Sequence, residues 1–309
     1  MTKSNLSIII PTYNKLPRLK LMLTSLSVVS GIEDTEVIIV NDGSSDGTAE
    51  FLDEYIKSSE MELKVINVTN GGRSYARNIG VKHSVNERIV FCDDDLILDK
   101  DFIKEHLKYL DMSEKNVIHG YIYSLSFLKF FFDPENGVFF KEYESEKKMS
   151  GLLKFCITSD DIRNNFCKIE KQRRTTKFEK DIQQLFEAES QAIDSKYTWL
   201  SSNGGNLSMY RDLFLKAGAF DENMGKRWGA EDLELGYRLH KTGGHFCFAD
   251  KAINYHMTHV RENAKAIHDE AFGFFQNKYN DDILRKLQLY FDGRVSSLIE
   301  WREICENEN

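Results

Sequence analysis

The first hundred residues alternate short apolar β-type runs with helical patterns, and few folds accept that order. Leu6-Ser7-Ile8-Ile9-Ile10 reads as a strand broken by Pro11, and residues 17–29 carry Leu19, Leu23, Leu26 and Val29 at helical spacing. Glu36–Val40 reads as a second strand and Asn41–Thr48 (NDGSSDGT) as its turn. A helix follows with Phe51, Leu52, Tyr55 and Ile56 on one face. Leu63–Val68, residues 73–83 and Arg88–Cys92 repeat strand, helix and strand. Such alternation predicts an α/β fold, with a mostly parallel central sheet, right-handed crossovers and flanking helices. Ligands of such sheets bind off the carboxyl ends of the strands. Thr12-Tyr13-Asn14, Asp42 and the run Asp93-Asp94-Asp95 are thereby predicted to share one edge.

Three consecutive carboxylates at the end of a buried strand repel one another. They persist cheaply only if solvated or neutralised by a cation, and hard oxygen ligands suit Mg²⁺ or Mn²⁺. An isolated acidic triplet is more often a wet loop, so its neighbours decide. Asp42-Gly43 and Asp46-Gly47 are ordinary turn dipeptides. Asn70-Gly71-Gly72-Arg73-Ser74-Tyr75-Ala76-Arg77-Asn78 says more: its glycines allow close backbone approach, and its arginines could face phosphate. Neither GxGxxG at the first strand–helix turn nor GxxxxGK[ST] occurs, which disfavours a dinucleotide fold and a P-loop.

Composition narrows the classes. The chain has 309 residues, 41% hydrophobic residues and three prolines, as expected of a globular protein. Its net charge of −8 argues against a nucleic-acid partner. Five scattered cysteines with no CxxC pair read as reduced thiols. No signal-peptide pattern or 18-residue apolar run is found, so a cytoplasmic protein is expected, with peripheral contact at the inner membrane face as an alternative.

The order IIIPTYN, IIVNDGSSDGT, NGGRSYARNIG, FCDDD resembles the nucleotide-sugar half of glycosyltransferase family 2, with the GT-A fold. Asn203-Gly204-Gly205-Asn206-Leu207-Ser208, Phe220-Asp221 and Trp228-Gly229-Ala230-Glu231-Asp232 resemble the acceptor half of galactosyltransferase and chondroitin-polymerase-like domains. The resemblance implies an inverting, Mn²⁺- or Mg²⁺-dependent transfer from a UDP-sugar to a hydroxyl of a glycan or other acceptor. A peptide, protein or small natural product is the alternative acceptor, and a nucleotide-sugar-binding protein without activity the alternative class. By the family pattern, Pro11, Thr12, Tyr13, Asn14 and Asp42 serve the nucleotide, with Arg77 and Arg73 near base or diphosphate. Asp93 and Asp95 frame the D-x-D around Asp94; Asp93 lies near ribose and metal, Asp95 on the metal. His256 is the implied third metal ligand and His259 its reserve. Gly205 and Asn206 line the sugar side. Trp228 is either a stacking platform or a core residue.

Asp232 is the implied base and Glu231 its acceptor-orienting neighbour. Both fall in the first turn of a helix over AEDLELGYRLHK, where the macrodipole favours an ionised carboxylate. The family domain is expected over 1–260, with a nucleotide half at 1–110 and an acceptor half at 201–260. Residues 121–200 form an insert that either builds the acceptor site, touches membrane through its phenylalanines, or is a helical subdomain with its own core. Residues 261–309 read as a helical, polar extension that either caps the domain or supports a homo-oligomer.

Overall fold

The computed structural model describes residues 5–143, 149–189, 195–227, 229–260 and 262–307. Strand β1 (Leu6–Thr12) leads through α1 (Leu16–Leu26) to β2 (Glu36–Asn41), α2 (Thr48–Ser58), β3 (Glu62–Asn67), α3 (Arg73–His83) and β4 (Arg88–Phe91). β5 (Leu96–Leu98), α4 (Phe102–Leu110) and β6 (Asn116–Ser124) follow. The middle of the chain holds a hairpin of β7 (Phe131–Asp133) and β8 (Val138–Phe139), then α5 (Ser159–Asn164), α6 (Cys167–Gln172), β9 (Arg174–Thr175) and α7 (Lys177–Glu189). β10 (Leu207–Tyr210), α8 (Arg211–Lys216), α9 (Glu231–Lys241), β11 (His245–His256), α10 (Ala264–Tyr279), α11 (Asp282–Phe291) and α12 (Leu298–Asn307) complete it.

The main sheet runs β3-β2-β1-β4-β10-β6-β11-β5, with β9 also on β6. β1 to β4 pair in parallel, as the sequence predicts, but β10 enters antiparallel to both β4 and β6. β11 returns parallel to β6, and β5 lies antiparallel on β11, so the sheet is mixed. Pro11 does not break β1. It pairs with Val40 of β2, while β4 reaches only as far as Ile9, so the missing N–H falls where one neighbour has ended.

One face of the sheet packs Leu19, Leu23, Leu52 and Phe102; the other packs Phe91, Phe214, Trp199 and Leu235. The second of these cores also takes Ile182 and Leu185 of α7, with Phe272, Phe275, Leu287 and Trp301 of the last three helices. Those helices look polar in sequence because their apolar residues are confined to single stripes. Part of the insert gathers around Leu125, Leu128, Phe131, Ile157 and Ile169 against Leu21 and Tyr255. Its phenylalanines divide: Phe131 is buried, Phe127 stacks on Phe155, and Phe132 is half exposed. No helix of the described residues is long and apolar enough to cross a membrane.

Candidate active site

The carboxyl ends of β1, β2 and β4 meet as predicted. Asp42 follows β2 and is held by backbone: its two carboxylate oxygens accept the N–H groups of Gly71 and Gly72 at 2.8 and 2.9 Å. Burial raises its pKa, and those amides work against the rise. Gly72 has φ +93°, and a Cβ there would sit 2.4 Å from the Gly225 carbonyl oxygen, so glycine is required where α3 begins. Pro11, Thr12, Tyr13, Asp42, Arg73, Asp93 and Asp94 line a cleft of about 380 Å³. Lys15, Lys226, Arg227 and His259 share its wall, and none of the first three stands out by motif.

Asn14, expected beside the nucleotide, is not on that wall. At φ +52° it ties two loops together: its N–H donates to Ser44 Oγ, and its Oδ1 accepts the Ser45 N–H. Asparagine tolerates this left-handed conformation better than most residues.

The acidic triplet separates into three roles. Asp94 accepts from the Tyr13 N–H at 3.4 Å and pairs with Lys15 at 3.2 Å; burial raises its pKa despite that lysine. Asp95 is wholly buried, and its Oδ2 meets Lys15 Nζ at 2.6 Å, His256 Nε2 at 3.4 Å and His259 Nδ1 at 3.3 Å. Burial alone would raise Asp95, but the three cationic or imidazole neighbours hold it well below the usual carboxylate range. The β5–β11 register pairs Leu96 with His256, and the Met257 N–H donates to the Asp95 carbonyl. That register is why residues so distant in sequence meet.

Asp95, His256 and His259 each offer one ligand atom, all within 4.8 Å of one another. Asp95 Oδ1 is buried without a hydrogen-bond partner among the described residues. An orphaned carboxylate oxygen beside two imidazoles fits a divalent ion, and the nitrogen donors favour Mn²⁺ over Mg²⁺. His259, held in reserve on sequence, approaches as closely as His256. Asp93 is not in this cluster.

Asp93 instead faces Arg77. That arginine is wholly buried and lines neither cavity; Nη2 donates to Asp93 Oδ1 at 2.9 Å and Nη1 to Asp232 Oδ1 at 2.8 Å. Its guanidinium lies 5.0 Å from the centre of the Phe220 ring. Gly204 leaves the space, since a Cβ there would sit 2.3 Å from Arg77 Cζ. Arg73, one turn earlier on α3, stays at the surface of both cavities and reaches Glu231 Oε1 at 3.2 Å. Burial opposes the charge on Asp93, but Arg73 and Arg77 outweigh it and lower its pKa.

α9 begins at Glu231 with no side-chain cap, so Glu231 folds back and accepts the Gly229 N–H at 2.8 Å. Burial would raise Glu231, yet Arg73 and Arg77 keep it low. Asp232, the expected base, shifts in the opposite direction. Burial pushes it up to about 6, and Arg77 offsets only part of the rise. It lines a second cavity of about 290 Å³ with Arg73, Asp93, Gly205, His256, Phe178, His268 and Phe291. Gly205 is there as expected, and Asn206 is not. The Asn206 side chain is fully buried, accepting from His106 and donating to the carbonyls of Ala252 and Tyr121. Trp228 lies outside the described residues.

Lys15 holds the position a cation would neutralise. Lys15→Met should therefore tighten Mn²⁺ binding to the nucleotide-free protein about tenfold, by removing a competing charged hydrogen bond. Unchanged or weaker binding by calorimetry would contradict that role.

Residues 7–163 match the family model described as glycosyl transferase family 2, and residues 184–262 match the N-terminal domain of galactosyltransferase. The uncharacterized glycosyltransferase YfnE of Bacillus subtilis is 27% identical over 93% of this chain and 74% of its own length. The chondroitin synthase of Escherichia coli is 24% identical over 82% of this chain, which spans only 34% of that protein. Residues 1–349 of Staphylococcus aureus TarS, solved with UDP-GlcNAc, superpose with a TM-score of 0.56 at 18% identity, over 94% of this chain and 73% of that one.

Proposed function

The chain belongs to glycosyl transferase family 2 and has the GT-A fold of a glycosyltransferase, and we propose that it is an inverting, divalent-metal-dependent enzyme. In this reading a hexose or N-acetylhexosamine passes from a UDP-sugar to an acceptor hydroxyl during glycan synthesis. The observation that carries it is the junction at Asp93, where the 380 Å³ cleft meets the 290 Å³ cavity holding Asp232. A donor lying across the two cavities has its diphosphate beside Asp95 and its sugar before Asp232.

Asp95, His256 and His259 would hold a divalent cation, which would supply Lewis-acid stabilisation of the departing diphosphate. Lys15, Arg73, Lys226 and Arg227 add positive charge along the nucleotide cleft. Asp232 accepts the proton of the attacking hydroxyl at a carboxylate oxygen, and its pKa near 6 suits a base at neutral pH. Arg77 holds Asp93 and Asp232 on one rigid guanidinium, which fixes the spacing between donor and base. Single displacement at the anomeric carbon inverts it. The UDP-GlcNAc complex of TarS and the match to a chondroitin synthase support the donor and glycan classes.

The test is the configuration of the product. NMR of the isolated product should show a β-linkage formed from an α-linked UDP-sugar only in the presence of Mn²⁺. A retained α-linkage, or transfer at full rate in EDTA, would contradict the proposal.

A further inference from the structure

Every residue lining the nucleotide cleft falls within the two segments that the family models match. In the second cavity, three do not: Phe178 lies between the matches, and His268 and Phe291 lie beyond them. Part of the wall of that cavity is thus built by residues of α7, α10 and α11 outside the segments that the family models match. We propose that Phe178, His268 and Phe291 bind the acceptor, and that the acceptor is a saccharide whose terminal ring stacks on the two phenylalanines.

Position supports this. His268 covers Gly229, where a Cβ would sit 2.7 Å from His268 Cδ2, and the Gly229 N–H is bonded to Glu231 beside Asp232. His268 meets Phe291 edge-on at 4.7 Å, and both rings rest on Phe272, which is wholly buried. Anchored rings make a rigid platform, and a ring face suits the C–H face of a pyranose.

Chemistry agrees. Ser202 lines the same cavity, is 2% exposed, and its hydroxyl has no hydrogen-bond partner among the described residues. A buried hydroxyl left unpaired is costly unless a ligand meets it, and a sugar hydroxyl would. Burial lowers the pKa of His268, leaving a neutral imidazole that can donate and accept. The volume of about 290 Å³ is at the small end of ligand sites, suited to a sugar ring seated beside the base with the rest of the acceptor outside. An extended peptide would need a longer groove, and an acyl chain would leave the buried Ser202 hydroxyl unmatched.

This inference rests on the transferase reading, and the test separates the two. The full chain, wild type and Phe291→Ala, is titrated with UDP and Mn²⁺, then with methyl glycosides of glucose, galactose, glucuronic acid and the two N-acetylhexosamines. At least one glycoside should bind the wild type, and Phe291→Ala should weaken it about tenfold while UDP affinity and melting temperature hold. Phe291→Tyr should restore binding. If Phe291→Ala melts early, Phe178→Ala and His268→Gln carry the same expectation. Wild type that binds UDP but none of the glycosides overturns the inference, as do variants that bind them undiminished. Wild type that binds no UDP overturns the transferase reading itself.

Discussion

Asp232→Asn is expected to lower transfer by about 10²- to 10⁴-fold, the usual contribution of a positioned general base. UDP affinity should survive the change, because the amide oxygen can still accept from Arg77 Nη1, which holds Asp232 at 2.8 Å. The pH profile gives a second handle. Burial raises the Asp232 carboxyl to about 6, and the base works only when ionised. Wild-type kcat/KM for the acceptor should therefore be full above pH 6 and fall as pH drops through it. Asp232→Asn should lack that limb. A variant that loses UDP binding in parallel with turnover would make Asp232 a nucleotide or structural residue.

Asp95→Asn should have an effect of similar size by a different route. One oxygen of Asp95 faces Lys15, His256 and His259, and the other is buried and unpartnered among the described residues. Substitution removes the only carboxylate of the candidate metal cluster. Even neighbours of metal ligands change affinity about 10- to 100-fold, so losing a charged ligand should weaken Mn²⁺ by at least about 100-fold. Metal-dependent turnover should vanish with it. Full activity of Asp95→Asn at saturating Mn²⁺ would remove Asp95 from the metal.

The nucleotide half was legible because parallel strands deliver their following residues to one edge, whatever the details of packing. Thr12, Asp42, Asp93 and Asp95 follow from that rule alone. Arg73 and Arg77 are four apart on α3 and look equivalent in sequence. What separates them is Gly204, which opens a buried space that only Arg77 enters. Asn206 adjoins the cavity-lining Gly205, but β10 runs antiparallel between β4 and β6, and that pairing turns its amide into the interior. A four-residue strand carries no sign of its direction. Lys15 could have been found: it is the cation nearest the end of β1, facing three carboxylates predicted on the same edge. The polar helices after residue 262 gave no sign of reaching the cavity, because His268 and Phe291 become part of its wall only once Phe272 and Phe275 are buried in the core.

The most direct measurement is calorimetric titration of UDP and several UDP-sugars into wild type and Asp95→Asn, each with Mn²⁺ and with EDTA. Wild type should bind UDP tightly only with Mn²⁺ and distinguish among the sugars, and Asp95→Asn should bind weakly in both conditions. Equal affinity for UDP with Mn²⁺ and EDTA, or no binding in either, would contradict a metal-dependent UDP-sugar transferase.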